Sequence, residues 1–144
     1  MRYVLPLRFV VILAAGLLAA GCDNGETPTT PSPNPTETQT FTGTLTRNGS
    51  QIHPFAATAQ GTVTATITAI EPATAPAIGF SMGNWDGTAC TAVVTNNIAT
   101  VSSVHSGSVV GISSLCVRLF DPFGTIPADE PVTYTVRVEY PINQ

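Results

Sequence analysis

Gly61-Thr62-Val63-Thr64-Ala65-Thr66-Ile67-Thr68-Ala69-Ile70 is the stretch that decides the fold. Apolar residues and threonines alternate along it. In an extended chain successive side chains point to opposite faces, so Val63, Ala65, Ile67 and Ala69 share one face and the threonines share the other. A helical path would scatter both sets around its axis. Threonine also favours strands, because a branched side chain fits a pleated, half-buried surface. The segment therefore reads as a strand with one face in a core and one in water.

The same alternation recurs on either side. Phe41, Gly43 and Leu45 alternate with Thr42, Thr44 and Thr46, and Val132, Tyr134, Val136 and Val138 alternate with Thr133, Thr135, Arg137 and Glu139. No window after residue 22 shows a helical apolar stripe. Turn signals stand between the runs: Asn48-Gly49, Asp86-Gly87, Asn96-Asn97, Ser106-Gly107 and Phe123-Gly124. Asn-Gly and Asp-Gly suit tight turns because both residues accept positive φ. Strands are expected at 40–47, 51–58, 61–70, 77–83, 88–95, 98–104, 114–121 and 132–140. About eight short strands at this spacing predict an all-β chain, folded as an antiparallel β-sandwich over residues 41–144. Pro54 belongs at an edge or a bulge of its strand, since it cannot donate to a ladder.

The N-terminus reads as an address. Arg2 and Arg8 precede an uncharged apolar run of 13 residues from Phe9 to Gly21. As a helix that run spans about 20 Å, short of the ~30 Å hydrocarbon core, so a signal peptide over 1–21 is the reading. It ends in Leu18-Ala19-Ala20-Gly21-Cys22. Small residues before a cysteine resemble the lipobox of bacterial lipoproteins, although Ala19 occupies the usual leucine position. The resemblance implies a diacylglyceryl group on Cys22, cleavage before it, and a bacterial cell-envelope protein facing the periplasm or the exterior. The alternative is an ordinary signal peptide cut near Ala20. A single acyl chain anchors only marginally, so a triacylated cysteine is the anchor expected. Residues 22–40 then form a tether, with Pro28, Pro31, Pro33 and Pro35 in a stretch lacking any residue to bury. Such a disordered or polyproline-like spacer reaches at most about 50 Å.

Composition limits the partners. Of 144 residues, 10% are charged and none is lysine. From Cys22 onward three arginines face nine acids, a net of −6. Neither phosphate neutralisation nor attraction to anionic lipid fits that balance, so no nucleic acid is expected.

Phe41-x-Gly43-x-Leu45, His53-Pro54-Phe55 and Gly61-x-Val63-x-Ala65-x-Ile67 resemble the bacterial pre-peptidase C-terminal domain family. So do Leu115-Cys116-Val117-Arg118-Leu119-Phe120-Asp121, Tyr134-Thr135-Val136-Arg137-Val138 and Pro141. The likeness covers most of residues 41–141. It implies a small jelly-roll sandwich of the kind appended to exported peptidases, with roles in secretion, surface binding or calcium-dependent stabilisation. The expectation for this chain departs from the family in one respect: a module standing alone on its anchor, without a peptidase domain.

Few residues suggest chemistry. Cys90 and Cys116 read as a disulfide in an oxidising compartment; two buried thiols are the alternative. His53 and His105 are expected at an edge and in a turn, and the absence of a G-x-S-x-G elbow leaves a serine triad unsupported. Asp86, Asp121, Asp129 and Glu130 fall in expected loops and are the candidates for calcium, which takes six to eight oxygens. Trp85, with Asp86 and Phe123, is the candidate ligand platform; a tryptophan closing one end of the core is the other reading. Arg118 is expected to pair with a facing acid. These readings combine into a non-catalytic, membrane-anchored binding or display module without a cofactor. Its alternatives are a carbohydrate-binding module and a structural subunit engaging an envelope protein.

Overall fold

The computed structural model describes residues 34–144. The signal peptide expected at 1–21, the lipidation site Cys22 and the tether up to residue 33 lie outside the described residues. Eight strands follow in order: β1 (Thr36–Leu45), β2 (Ser50–Ala57), β3 (Gln60–Glu71), β4 (Ile78–Trp85), β5 (Cys90–Ala99), β6 (Val104–Val110), β7 (Ser113–Phe120) and β8 (Val132–Pro141). They form two four-stranded sheets, ordered β1-β8-β3-β6 and β2-β7-β4-β5. Every pairing is antiparallel. This is the strand order of an eight-stranded jelly roll.

The period-two pattern sorts the faces as expected. Leu45, Val63, Ala65, Ile67, Val132, Val136 and Val138 turn inward from the first sheet and are almost wholly buried. Phe80, Ile78, Val117 and Leu119 meet them from the second sheet. Each large side chain taken fully from water stabilises by roughly 1.5–3 kcal/mol. The outward partners of the first sheet are mostly threonine, with the exposed Arg137–Glu139 ion pair among them.

Three boundaries differ from expectation. β1 begins at Thr36, so residues 36–40 of the stretch read as tether are strand, pairing from Thr36↔Pro141 onward. Asn96-Asn97 and Ser106-Gly107 are not turns; they lie inside β5 and β6. The chain reverses instead at residues 100–103, which were expected to be strand. There Ser103 N–H donates to the Thr100 carbonyl and Ser102 takes φ 71°. Asn side chains tolerate that conformation better than serine, but tertiary pairing decides the position of a turn. Pro54 sits where its missing N–H does least harm, on β2 at the edge of its sheet.

Candidate functional site

The two long sides of the sandwich differ. On the β1–β2 side the sheets are tied together by aromatic rings. His53 of β2 stacks on Phe41 of β1 with ring centroids 4.9 Å apart, and shares a 2.7 Å hydrogen bond with the Tyr134 hydroxyl of β8. Gly43 lies opposite Tyr134 and leaves room for that hydroxyl. Burial lowers the His53 pKa and pushes Tyr134 up to about 12. Both groups are therefore held neutral near pH 7, as packing elements.

The β5–β6 side is open. A groove of about 290 Å³ runs between these two edge strands, floored by Val63, Met82 and Leu115 and walled by Val93, Val94 and Val109. Among the described residues no charged side chain lines it. Two of its lining residues stand largely in water, Val93 at 75% and Val110 at 94% exposure, and Ile98 on β5 and Ile112 after β6 are 69% and 82% exposed. Val101 and Val104, at the β5–β6 turn and the start of β6, are about half exposed. Six exposed valine and isoleucine residues on two neighbouring edge strands and their turns mark an interaction surface more readily than single residues scattered over a surface do. On β6 His105 is buried, and its Nε2–H donates to the Phe80 carbonyl at 2.9 Å. That bond fixes its tautomer and ties β6 to the facing β4. His105 is thus neither in a turn nor at the surface.

Sequence searches for relatives return little. No family model matches the chain, and a search of curated proteins finds no match. Among solved structures, a chain from Bacillus endospore appendages, described as a novel family of disulfide-linked pili, is similar to it. The two share 16% identity with a TM-score of 0.42, over 77% of this chain and 90% of that one. A likeness of this degree carries no functional argument.

The residues singled out from the sequence do not converge on one site. Trp85 ends β4 opposite Cys90 and lies outside the buried core. Phe123 follows β7, whose residue Phe120 pairs with Gly79 at the other end of β4. Six residues of strand separate those ends, about 20 Å at ~3.3 Å per residue. The candidate Trp85–Phe123 platform is therefore not assembled. The acids divide in the same way. Asp86 caps the β4–β5 turn, its Oδ1 accepting from the Thr88 and Ala89 N–H groups, which lowers its pKa. Asp121 lies at the opposite end and is 7% exposed. Its two oxygens accept four backbone N–H groups, from Asn48, Phe123, Thr125 and Ile126. Burial raises its pKa, but those four donors outweigh burial and hold it below the ordinary carboxylate value. Its lone pairs serve the loops, so the candidate calcium set lacks its buried member. Asp129 and Glu130 are exposed in the same loop. Among the described residues no three His, Cys, Asp or Glu side chains converge in a metal-binding group.

Among the described residues Arg118 has no acid partner. Its Nε–H donates to the Ser50 hydroxyl at 2.8 Å, and its guanidinium lies 4.8 Å over the Phe120 ring. Cys90 and Cys116 form the disulfide, with Cα atoms 5.8 Å apart. It links β5 to β7 within one sheet, across β4. Gly83 lies beneath the crossing, and a Cβ there would stand 1.9 Å from the Thr91 carbonyl oxygen. Sequence reasoning passed over the β5–β6 side altogether. The signal was present in Val104-His105-Ser106-Gly107-Ser108-Val109-Val110-Gly111-Ile112. Valine there occupies outward positions that β1 and β3 fill with threonine.

Proposed function

We propose that this chain is an exported, lipid-anchored, non-catalytic binding module that engages its partner along the open β5–β6 side. The observation that carries the reading is the uncharged apolar groove between two edge strands, lined in part by the exposed Val93 and Val110. An unpaired strand edge offers backbone N–H and C=O groups to an extended chain, and an apolar groove beside it supplies pockets for alternate side chains. The Phe9–Gly21 run and Cys22 support the anchor, and a Cys90–Cys116 disulfide fits an oxidising compartment. The jelly-roll strand order agrees with an accessory module of the pre-peptidase type.

Two measurements test the proposal. Mass analysis of the mature N-terminus detects a lipidated Cys22, and Cys22→Ala moves the chain from the membrane to the soluble fraction. A purely soluble wild-type chain removes the anchor from the reading. Thermal shifts of the mature chain are then compared for an uncharged heptapeptide alternating valine and serine, and for a glycan panel with and without calcium. A ligand at 100 times its Kd adds about 2.7 kcal/mol of stability. A saturable shift with the peptide, reduced by Val93→Lys, is the expected result. A shift with a glycan alone, lost in Trp85→Ala, would replace this reading with the carbohydrate-binding one.

A further inference from the structure

The four edge strands are not equally protected against pairing. β2 carries Pro54. β5 is bent by two irregularities in its pairing with β4. β1 carries Glu37 and shows solvent a row of threonines. Charges, proline and bulges are the usual devices that blunt an edge. β6 has none of them: its register with β3 is unbroken from Gln60↔Val110 to Thr66↔Val104, and it holds no Asp, Glu, Lys, Arg or Pro.

Its sequence is also close to a palindrome. Val104-His105-Ser106-Gly107-Ser108-Val109-Val110 reads nearly the same in both directions about Gly107. An antiparallel pair of two β6 strands centred on Gly107 sets Val104 against Val110 and Ser106 against Ser108 of the second copy. Both matches fall on the exposed face, valine on valine and serine on serine.

The backbone has the phase this register needs. Ile67 N–H donates to the Ser103 carbonyl. The continuous register with β3 then turns the backbone groups of His105, Gly107 and Val109 toward β3. Those of Val104, Ser106, Ser108 and Val110 point away from the sheet, free to pair. They are the residues that the Gly107-centred register places in hydrogen-bonded positions. A two-fold axis normal to the sheet keeps the valine faces on the same side. It also sets the two β5 edges, with Val93 and Ile98, facing each other beneath.

We infer that β6 is a self-pairing edge and that its partner is a second copy of this chain, joined into one eight-stranded sheet about a two-fold axis at Gly107. The inference rests on the proposed binding role of the β5–β6 side and names its occupant. It accounts for the exposed Val104 and Val110, which meet across the pair, and for the nearby turn residues Val101 and Ile112. Such an interface is isologous and closes at the dimer.

The test uses the full mature chain in detergent. Gly107→Cys is the reporter, because a Cβ at Gly107 meets only the Met82 Cε, at an ordinary 3.5 Å. Residues facing each other at a non-hydrogen-bonded antiparallel position have Cα atoms about 4.5 Å apart, within disulfide reach. Mild oxidation of Gly107→Cys is expected to give a covalent dimer at least tenfold faster than Thr44→Cys, an exposed control on β1. Sedimentation of the wild type is expected to show a concentration-dependent monomer–dimer equilibrium. The double substitution Val104→Lys and Val110→Lys sets lysine against lysine at both ends of the pair. It is expected to weaken the dimer at least tenfold and to abolish the Gly107→Cys crosslink. Val110→Lys alone, at a position 94% exposed, guards against misfolding and should weaken the dimer in the same direction. A wild type monomeric at all accessible concentrations, or a dimer indifferent to the lysines, overturns self-pairing. Peptide binding that persists in such a monomer would leave the binding reading standing; loss of both would sink the two together.

Discussion

Ser81 is the residue with the least evident reason for its chemistry. It is 1% exposed in the middle of β4, and its hydroxyl is the one buried side-chain polar atom without a hydrogen-bond partner among the described residues. An orphaned buried hydroxyl costs about 1–3 kcal/mol relative to a satisfied one. Ser81→Ala should therefore be neutral or stabilising by up to about 1 kcal/mol, read as the urea midpoint of the oxidised chain. A loss beyond about 1 kcal/mol would mean that the hydroxyl has a partner. Gly43 gives the opposite expectation. A Cβ there would stand 2.2 Å from the Tyr134 hydroxyl, which is held by His53, and the Tyr134 ring is itself buried. Overpacking of this kind costs about 1–3 kcal/mol, so Gly43→Ala should lower the midpoint clearly. If it does not, Tyr134 is freer to move than its packing implies. At this scale the sequence was informative only where a residue's neighbours along the chain matter. Asn48, with φ 56° before Gly49, was legible as a turn. The Ser50 hydroxyl that Arg118 bonds and the Phe80 carbonyl that His105 bonds come from strands far away in sequence, and no local pattern names them.

Strands were the most legible elements, and the disulfide shows how far that legibility extends. Seven of the eight expected strands exist because burial of one face imposes a period of two on the residues themselves, whereas the stretch expected as strand at 98–104 is mostly a reversal and β6 occupies residues where no strand was expected. The β5–β6 reversal was misplaced because two polar Asn residues inside an edge strand look like a turn. An edge strand tolerates them, having one side open to water. The cysteine pair was legible from its parity and compartment, whereas its path across β4 over Gly83 was not. The bridge closes a separation of 26 residues, and the loop-entropy relation gives about 3–4 kcal/mol for such a closure. Replacing Cys90 and Cys116 together by alanine should lower the unfolding free energy by about that amount in urea. The reduced wild type should fall to the same value. If reduction destabilises the wild type but the double alanine chain keeps its stability, the loss arises from burying thiols rather than from freeing β5.

The whole domain should respond to pH at both ends of the scale, because the groups that tie its parts together have shifted pKa values. Asp121 joins the β1–β2 turn, through Asn48, to the β7–β8 loop, through Phe123, Thr125 and Ile126. Its folded pKa lies below the unfolded one, so the unfolded chain binds more protons as pH falls. Its contribution is complete above the usual carboxylate range near pH 4 and is lost as pH drops through the folded value. His53 is lowered as well, by burial, so its contribution is complete above about pH 6.5 and fades below that. Tyr134 is pushed up to about 12 by burial, so its contribution holds below about pH 10 and disappears as pH rises toward 12. The result is a stability plateau between roughly pH 6.5 and 10 with a two-stage acid limb. His53→Gln should flatten the upper stage of that limb. Asp121→Asn should flatten the lower stage and also cost about 1–3 kcal/mol at neutral pH, because asparagine has one acceptor oxygen for four donors. Some of the lower stage should survive in Asp121→Asn, since Asp86 is lowered by its own turn amides. Urea midpoints from pH 3 to 11 decide the matter. If Asp121→Asn keeps both the neutral stability and the full acid limb, the two loop systems fold independently of the carboxylate. Their union at that end of the sandwich would then rest on other contacts, such as the Arg47 Nε–H bond to the Ile126 carbonyl at 3.1 Å.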